Sequence, residues 1–111
     1  MEEKIKELYS KLSFIGMIYL NSARVGNIEA VMEYMPQISE FVNWFVKENV
    51  FGIEDNLYQG LCGNLLDIVN DIMQANQNND RVLMHDAVQY GLVEFLEMFI
   101  ESGDEVNGSV W

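Results

Sequence analysis

The sequence predicts an all-α protein: a single-domain antiparallel up-and-down four-helix bundle, its second helix kinked at Pro36. Three observations carry that prediction. Four stretches bear apolar residues at spacings of three and four, the period of a helix that buries one face. Polar breaks divide the chain into nearly equal lengths, so helices of about 20 residues and about 30 Å, joined by short loops, run back and forth. Hydrophobic residues make up 50% of the 111-residue chain and there is one proline, which suits a helical core and argues against disorder. The bundle is expected over 1–103 and a loose tail over 104–111.

The first helix is expected over 3–23. Ile5, Leu8, Leu12, Ile15, Tyr19 and Ala23 form its stripe, widened by Tyr9, Gly16 and Leu20. Lys4, Lys6, Glu7 and Lys11 fall on the wet side, where Glu7 and Lys11 make a favourable i,i+4 pair. Arg24-Val25-Gly26-Asn27 reads as a stop and a restart. Gly26 can take the left-handed conformation that ends a helix, Asn27 is a good N-cap, and Glu29 suits the positive end of the next helix dipole.

The second helix is expected over 28–48, with Ile28, Val31, Met35, Ile38, Val42, Phe45 and Asn49 on its stripe. Pro36 lies inside it. Proline lacks the amide donor and its ring meets the carbonyl of Met32, so the helix should kink there or break in two. Asn49-Val50-Phe51-Gly52 is the next break.

The third helix is expected over 53–76. Its stripe is Leu57, Leu61, Leu65, Ile68, Ile72 and Ala75, with Tyr58, Leu66, Val69 and Met73 beside it. Gly60 and Gly63 sit inside, where each costs about 1 kcal/mol relative to Ala. Close approach of another helix, with Gly16 as the contact, would account for them; so would a dimer packed through that thin face. Gln77-Asn78-Asn79-Asp80 ends the helix, and Asp80 is a strong N-cap for a fourth over 81–102. The fourth stripe is Leu83 or Met84, Ala87, Val88, Gly91, Phe95, Met98 and Phe99, with Leu92 and Leu96 adjacent and Gly103 as C-cap.

Charge and cysteine content narrow the function. Eighteen acidic residues against six basic ones give a net charge of −12, which repels phosphate backbones and anionic lipid. No nucleic-acid or membrane partner is expected. No apolar run reaches the roughly 18 residues of a membrane span, and the start Met1-Glu2-Glu3-Lys4 does not read as a signal peptide. Cys62 is the one cysteine, so no intrachain disulfide forms, and a reduced cytoplasmic setting fits.

No catalytic constellation stands out. His85 is the one histidine, nothing marks a nucleophile near it, and it is expected at the surface. One His and one Cys cannot supply a zinc site, and the Glu-x-x-His repeat of carboxylate-bridged metal bundles is absent. Glu29 with Glu33, and Glu94 with Glu97, read as solvated faces. Gly60-Leu61-Cys62-Gly63 falls within a helical stripe, not at a strand-to-helix turn, so it is no phosphate cradle. No catalytic residue, metal or cofactor is expected.

The aromatic residues are more telling. Phe41, Trp44, Phe45 and Phe51 gather at the end of the second segment, with Tyr58 opening the third. They cannot all face one narrow seam. Either the helix is buried over a wide face, or part of the cluster forms an exposed patch of the kind that marks partner sites. These five are the candidate partner-binding residues. Seven methionines add pliable surface suited to a partner helix.

Gly26-Asn27-Ile28-Glu29-Ala30 opening a helix, Glu54-Asp55-Asn56-Leu57-Tyr58 opening the next, and Ala75-Asn76 then Asn79-Asp80 leading to the last make the chain resemble flagellar secretion chaperones of the FliS type. It also resembles small uncharacterised helical proteins of clostridial type with that topology. Pro36 departs from the chaperone pattern. The resemblance implies a bacterial, acidic four-helix bundle that holds a segment of another protein until export. The expected function is therefore a non-enzymatic protein-binding module with chaperone-like recognition of an amphipathic partner segment. The alternatives are a self-associating structural homodimer and an acidic mimic of nucleic acid.

Overall fold

Ile5, Leu8, Leu12 and Ile15 close on one side of α1 (Glu2–Asn21) and are all buried. Glu2 and Glu3 occupy its first turn, where carboxylates meet the positive end of the helix. The computed structural model describes residues 2–21 (for 18–21, the backbone) and 27–100. The expectations for the side chains of Tyr19 and Leu20, for Ala23 and Gly26, for Gly103 as a cap and for the 104–111 tail lie outside the described residues.

The second segment comprises two helices, α2 (Asn27–Glu33) and α3 (Met35–Lys47), which meet at Tyr34. The Tyr34 amide donates to the Val31 carbonyl at 2.9 Å, an i→i−3 turn tighter than the α-helix. Pro36 stands in the first turn of α3, where its missing N–H forfeits no intrahelical bond. Asn27, expected to cap its own helix, is 3% exposed and points elsewhere. Its Nδ2 donates to the Arg81 carbonyl at 3.1 Å, a tie across 54 residues of chain.

The α4 helix (Asp55–Asn78) begins where the Glu54 carboxylate accepts the Leu57 amide at 3.2 Å. It runs two residues past the expected end. Asn79 there takes left-handed angles (φ 53°, ψ 43°), with its amide on the Asn76 carbonyl at 3.3 Å and that of Asp80 on Ala75 at 2.8 Å. That pair of bonds is a Schellman stop. Asp80 then accepts the Leu83 amide at 3.0 Å and caps the next helix, as expected. Gly60 and Gly63 are exposed, and a Cβ on either would meet nothing within 4 Å. The expected close approach of Gly16 to them does not occur among the described residues.

The fourth segment is not one regular helix. α5 (Arg81–Ala87) widens into a π-helical stretch (Val88–Leu92) and resumes as α6 (Val93–Glu97). Beyond Glu97, i→i−3 bonds from Met98, Phe99 and Ile100 wind the chain down. The wide turn absorbs one extra residue, which rotates everything after it by about 100° relative to an unbroken helix. Val93 and Leu96 therefore turn inward, while Met98, expected on the stripe, is 57% exposed. Two contacts accompany the wide turn. Gln89 Nε2 donates to the Leu12 carbonyl of α1 at 2.8 Å, and its amide fills the space a side chain on Gly16 would need. A Cβ on Gly91 would lie 3.1 Å from Ile68 Cγ1 of α4, so glycine here permits close packing.

Every regular element among the described residues is helical. α4 packs on α5, on the π stretch and on α3, while α1 packs on α2, α3, the π stretch and α6. Buried residues from all of them join one apolar cluster. His85, expected at the surface, is 8% exposed and packs edge-on to the Tyr90 ring at 5.9 Å. The Lys4 ammonium bridges to Glu40 at 2.7 Å, tying α1 to α3 across the exposed side.

Candidate partner-binding surface

The wide buried face of α3 organises the aromatic end of the molecule. Phe45, 1% exposed, is its hub. Its ring lies 5.2 Å from Phe95 and 5.2 Å from Phe99, both edge-on, and 5.6 Å from Tyr58. Phe41 is likewise buried, 6.0 Å from Phe45 and 6.1 Å from Phe95. Phe41 and Phe45 are core residues and offer no surface to a partner. The fully apolar side chain on a helix buried over more than 100° of its circumference has nowhere else to go.

Trp44 and Phe51 carry the cluster outward. Trp44 is half-buried, and Phe51 is 43% exposed. Phe51 lies on the loop between α3 and α4, 4.6 Å from Phe99 and edge-on to Trp44 at 5.6 Å. That loop is held in shape. Asn49 Oδ1 accepts the Ile53 amide at 2.9 Å while its Nδ2 donates back to the Ile53 carbonyl. Gly52 takes φ +66°, which glycine adopts without strain, and its amide reaches the Asn49 carbonyl at 3.3 Å.

Tyr58 locks the loop to the core. Its hydroxyl donates to the Phe45 carbonyl at 2.6 Å. That carbonyl lies in the last turn of α3, where carbonyls lack intrahelical donors. Partial burial pushes the Tyr58 phenol above the ordinary tyrosine range, and the Cys62 thiol and the Glu48 carboxylate push the same way. Between residues 47 and 58 the chain carries Lys47, Glu48, Glu54 and Asp55, all exposed, so acids predominate around the aromatic surface. Val50 and Leu57, at 46% and 58% exposure, extend the apolar area.

The candidate residues thus fall in two groups: Phe41 and Phe45 beneath, with Trp44, Phe51 and Tyr58 reaching the outside. Phe95 and Phe99 belong to the same cluster and were not among the candidates. Their i,i+4 spacing put both on one helix face. The rings of Phe45, Tyr58, Phe95 and Phe99 bring the end of α3, the start of α4 and the end of the fourth segment together.

Among the described residues, hollows also lie away from Phe51. A cleft of about 130 Å³ between α1 and α3 has Leu8, Tyr34 and Phe41 as its apolar part and Lys4, Lys11 and Glu40 at its rim. A more open hollow of about 320 Å³ lies among Ile28, Met32, Asn76, Asn79 and Arg81. Among the described residues, no three His, Cys, Asp or Glu side chains gather to hold a metal ion, and no helix is long and apolar enough to cross a membrane.

A family model described as "Domain of unknown function (DUF8042)" matches residues 15–102. No curated protein and no solved structure matches the chain.

Proposed function

The chain belongs to the DUF8042 family, and we propose that it is a non-enzymatic binding protein that takes an amphipathic segment of a protein partner on its aromatic end. In this reading α1, α2 with α3, α4, and α5 with α6 are the four rods of an up-and-down bundle, bent at the Tyr34–Pro36 junction. One observation carries the proposal. Phe51 stands 43% exposed on a loop clamped by Asn49, backed by ring contacts to Trp44 and Phe99. An aromatic side chain held in place loses little entropy when covered, which is how interface anchors gain affinity. The acids on either side of it favour a segment whose apolar face is flanked by Lys or Arg. Chaperone-like capture of such a segment accords with the resemblance to secretion chaperones.

The test begins with the tagged chain in its own cells, comparing wild type with Phe51→Asp and identifying bound proteins by mass spectrometry. A synthetic peptide from the identified segment is then titrated calorimetrically. The wild type should bind it, Phe51→Asp should weaken binding at least tenfold, and added salt should weaken it further. A protein recovered equally by both forms, or none recovered, sinks the reading.

A further inference from the structure

We infer that a flank of α4, marked by Cys62, Leu66, Val69 and Met73, is the contact face of a homodimer. At about 100° per residue these four positions fall within an arc of roughly 60°, beside the buried line of Leu65, Ile68 and Ile72. Leu66 is 52% exposed and Met73 44%, while Cys62 and Val69 are half-buried. Gln59, Gly63, Asn70 and Gln77 border the flank on its outer side, and all are uncharged and exposed. Helix geometry puts Asp67 and Asp71 more than about 120° away from its centre. Asp55 meets the flank only at the helix N-terminus, so from Tyr58 to Gln77 the strip carries no charge.

Charge selects the occupant. The chain carries −12, so two copies repel one another wherever acids face acids. That repulsion is least where the contacting helix carries no acids. A basic partner would find nothing on this strip to pair with. The strip is about 27 Å long at 1.5 Å per residue, and two helices about 10 Å wide crossing there cover on the order of 300 Å² per copy. That is below the roughly 800 Å² per partner of a standard interface, so the contact is that of a weak, reversible dimer. A two-fold axis through the strip makes the contact self-complementary and closed.

Sedimentation equilibrium of the whole chain from 1 μM to 1 mM at about 50 and 500 mM NaCl tests this. A monomer–dimer equilibrium is expected whose dissociation constant falls several-fold at the higher salt, because screening relieves the repulsion between copies. Leu66→Glu with Met73→Glu should raise the constant at least 100-fold with the circular dichroism spectrum unchanged, and Val82→Glu, at another exposed apolar site, should leave it alone. If the double variant loses helix, Gly63→Glu replaces it, since the space there is empty in the monomer. A monomer at 1 mM in both salts, or a dimer indifferent to these glutamates, overturns the inference.

Discussion

Replacing Gly16 by Ala should leave stability flat or lower it, although Ala is the better helix former. In a helix interior that exchange gains about 1 kcal/mol. Here the new Cβ would occupy the space of the Gln89 amide, which must swing away. Swinging breaks its 2.8 Å bond to the Leu12 carbonyl, a loss of about 0.5–1.5 kcal/mol. Forcing the side chain off its preferred rotamer costs a further ~0.5–1.5 kcal/mol. The net effect is between zero and about 2 kcal/mol of destabilisation. Gln89→Ala removes the obstruction, and in that background Gly16→Ala should recover its stabilisation of about 1 kcal/mol. The double-mutant cycle therefore carries a coupling of roughly 1–3 kcal/mol, read from urea unfolding curves followed by far-ultraviolet circular dichroism. Equal stabilisation by Gly16→Ala in both backgrounds would refute the packing of α1 against the π stretch.

Two further predictions separate the buried and exposed parts of the aromatic end. Phe45→Ala should cost about 3–5 kcal/mol through lost burial and a cavity, whereas Phe51→Ala, at 43% exposure, should cost about 1 kcal/mol; similar losses on denaturant titration would contradict the assignment of core and surface. The Tyr58 phenol has its folded-state pKa raised above the ordinary 10.0, so its contribution is fully present below pH 10 and is lost as pH rises through the folded value. The thermal midpoint of the wild type should fall faster above pH 10 than that of Tyr58→Phe, which lacks the bond to the Phe45 carbonyl throughout; parallel curves would rule out the linkage.

Much of the fold was legible because it rests on local rules. The α1 stripe from Ile5 to Ile15 and the Asp80 cap depend on helical periodicity and on a carboxylate within reach of an amide three residues on, and the structure places both as expected. What was not legible depends on partners distant in sequence. Nothing in Val88-Gln89-Tyr90-Gly91-Leu92 announces a π turn; it accompanies Gln89 reaching Leu12 and Gly91 seating Ile68. Once that turn is missed, Met98 is placed on the stripe and Val93 is left off it. His85 was placed outside because polar residues usually are, yet its ring is covered and lies against Tyr90. Phe41, Trp44, Phe45, Phe51 and Tyr58 are legible as a group because they lie close together in the chain; Phe95 and Phe99, which join them in space, come from the fourth segment and are not. Which of them reach the surface depended on the loop over 48–54, whose path is set by side-chain bonds from Asn49 that periodicity does not encode.

The proposed partner surface and the proposed dimer face differ in charge, so salt separates the two proposals. Exposed Glu48, Glu54 and Asp55 lie on the same stretch of chain as Phe51, which disfavours a second copy of this acidic chain there and favours a basic segment. The α4 flank has apolar side chains and no acids between Tyr58 and Gln77, so it offers a basic segment no ion pair and offers two copies the least repulsion. Salt should therefore act on the two associations with opposite sign, weakening the first and strengthening the second. Tyr58 stands between them, bonded through its hydroxyl to the Phe45 carbonyl and one helical turn from Cys62. A segment seated on Phe51 would touch the loop that leads into Tyr58. Occupancy of Phe51 should therefore change the dimerisation constant by less in Tyr58→Phe than in the wild type, compared by sedimentation equilibrium with and without the bound peptide; an equal change in both would refute coupling through that hydroxyl.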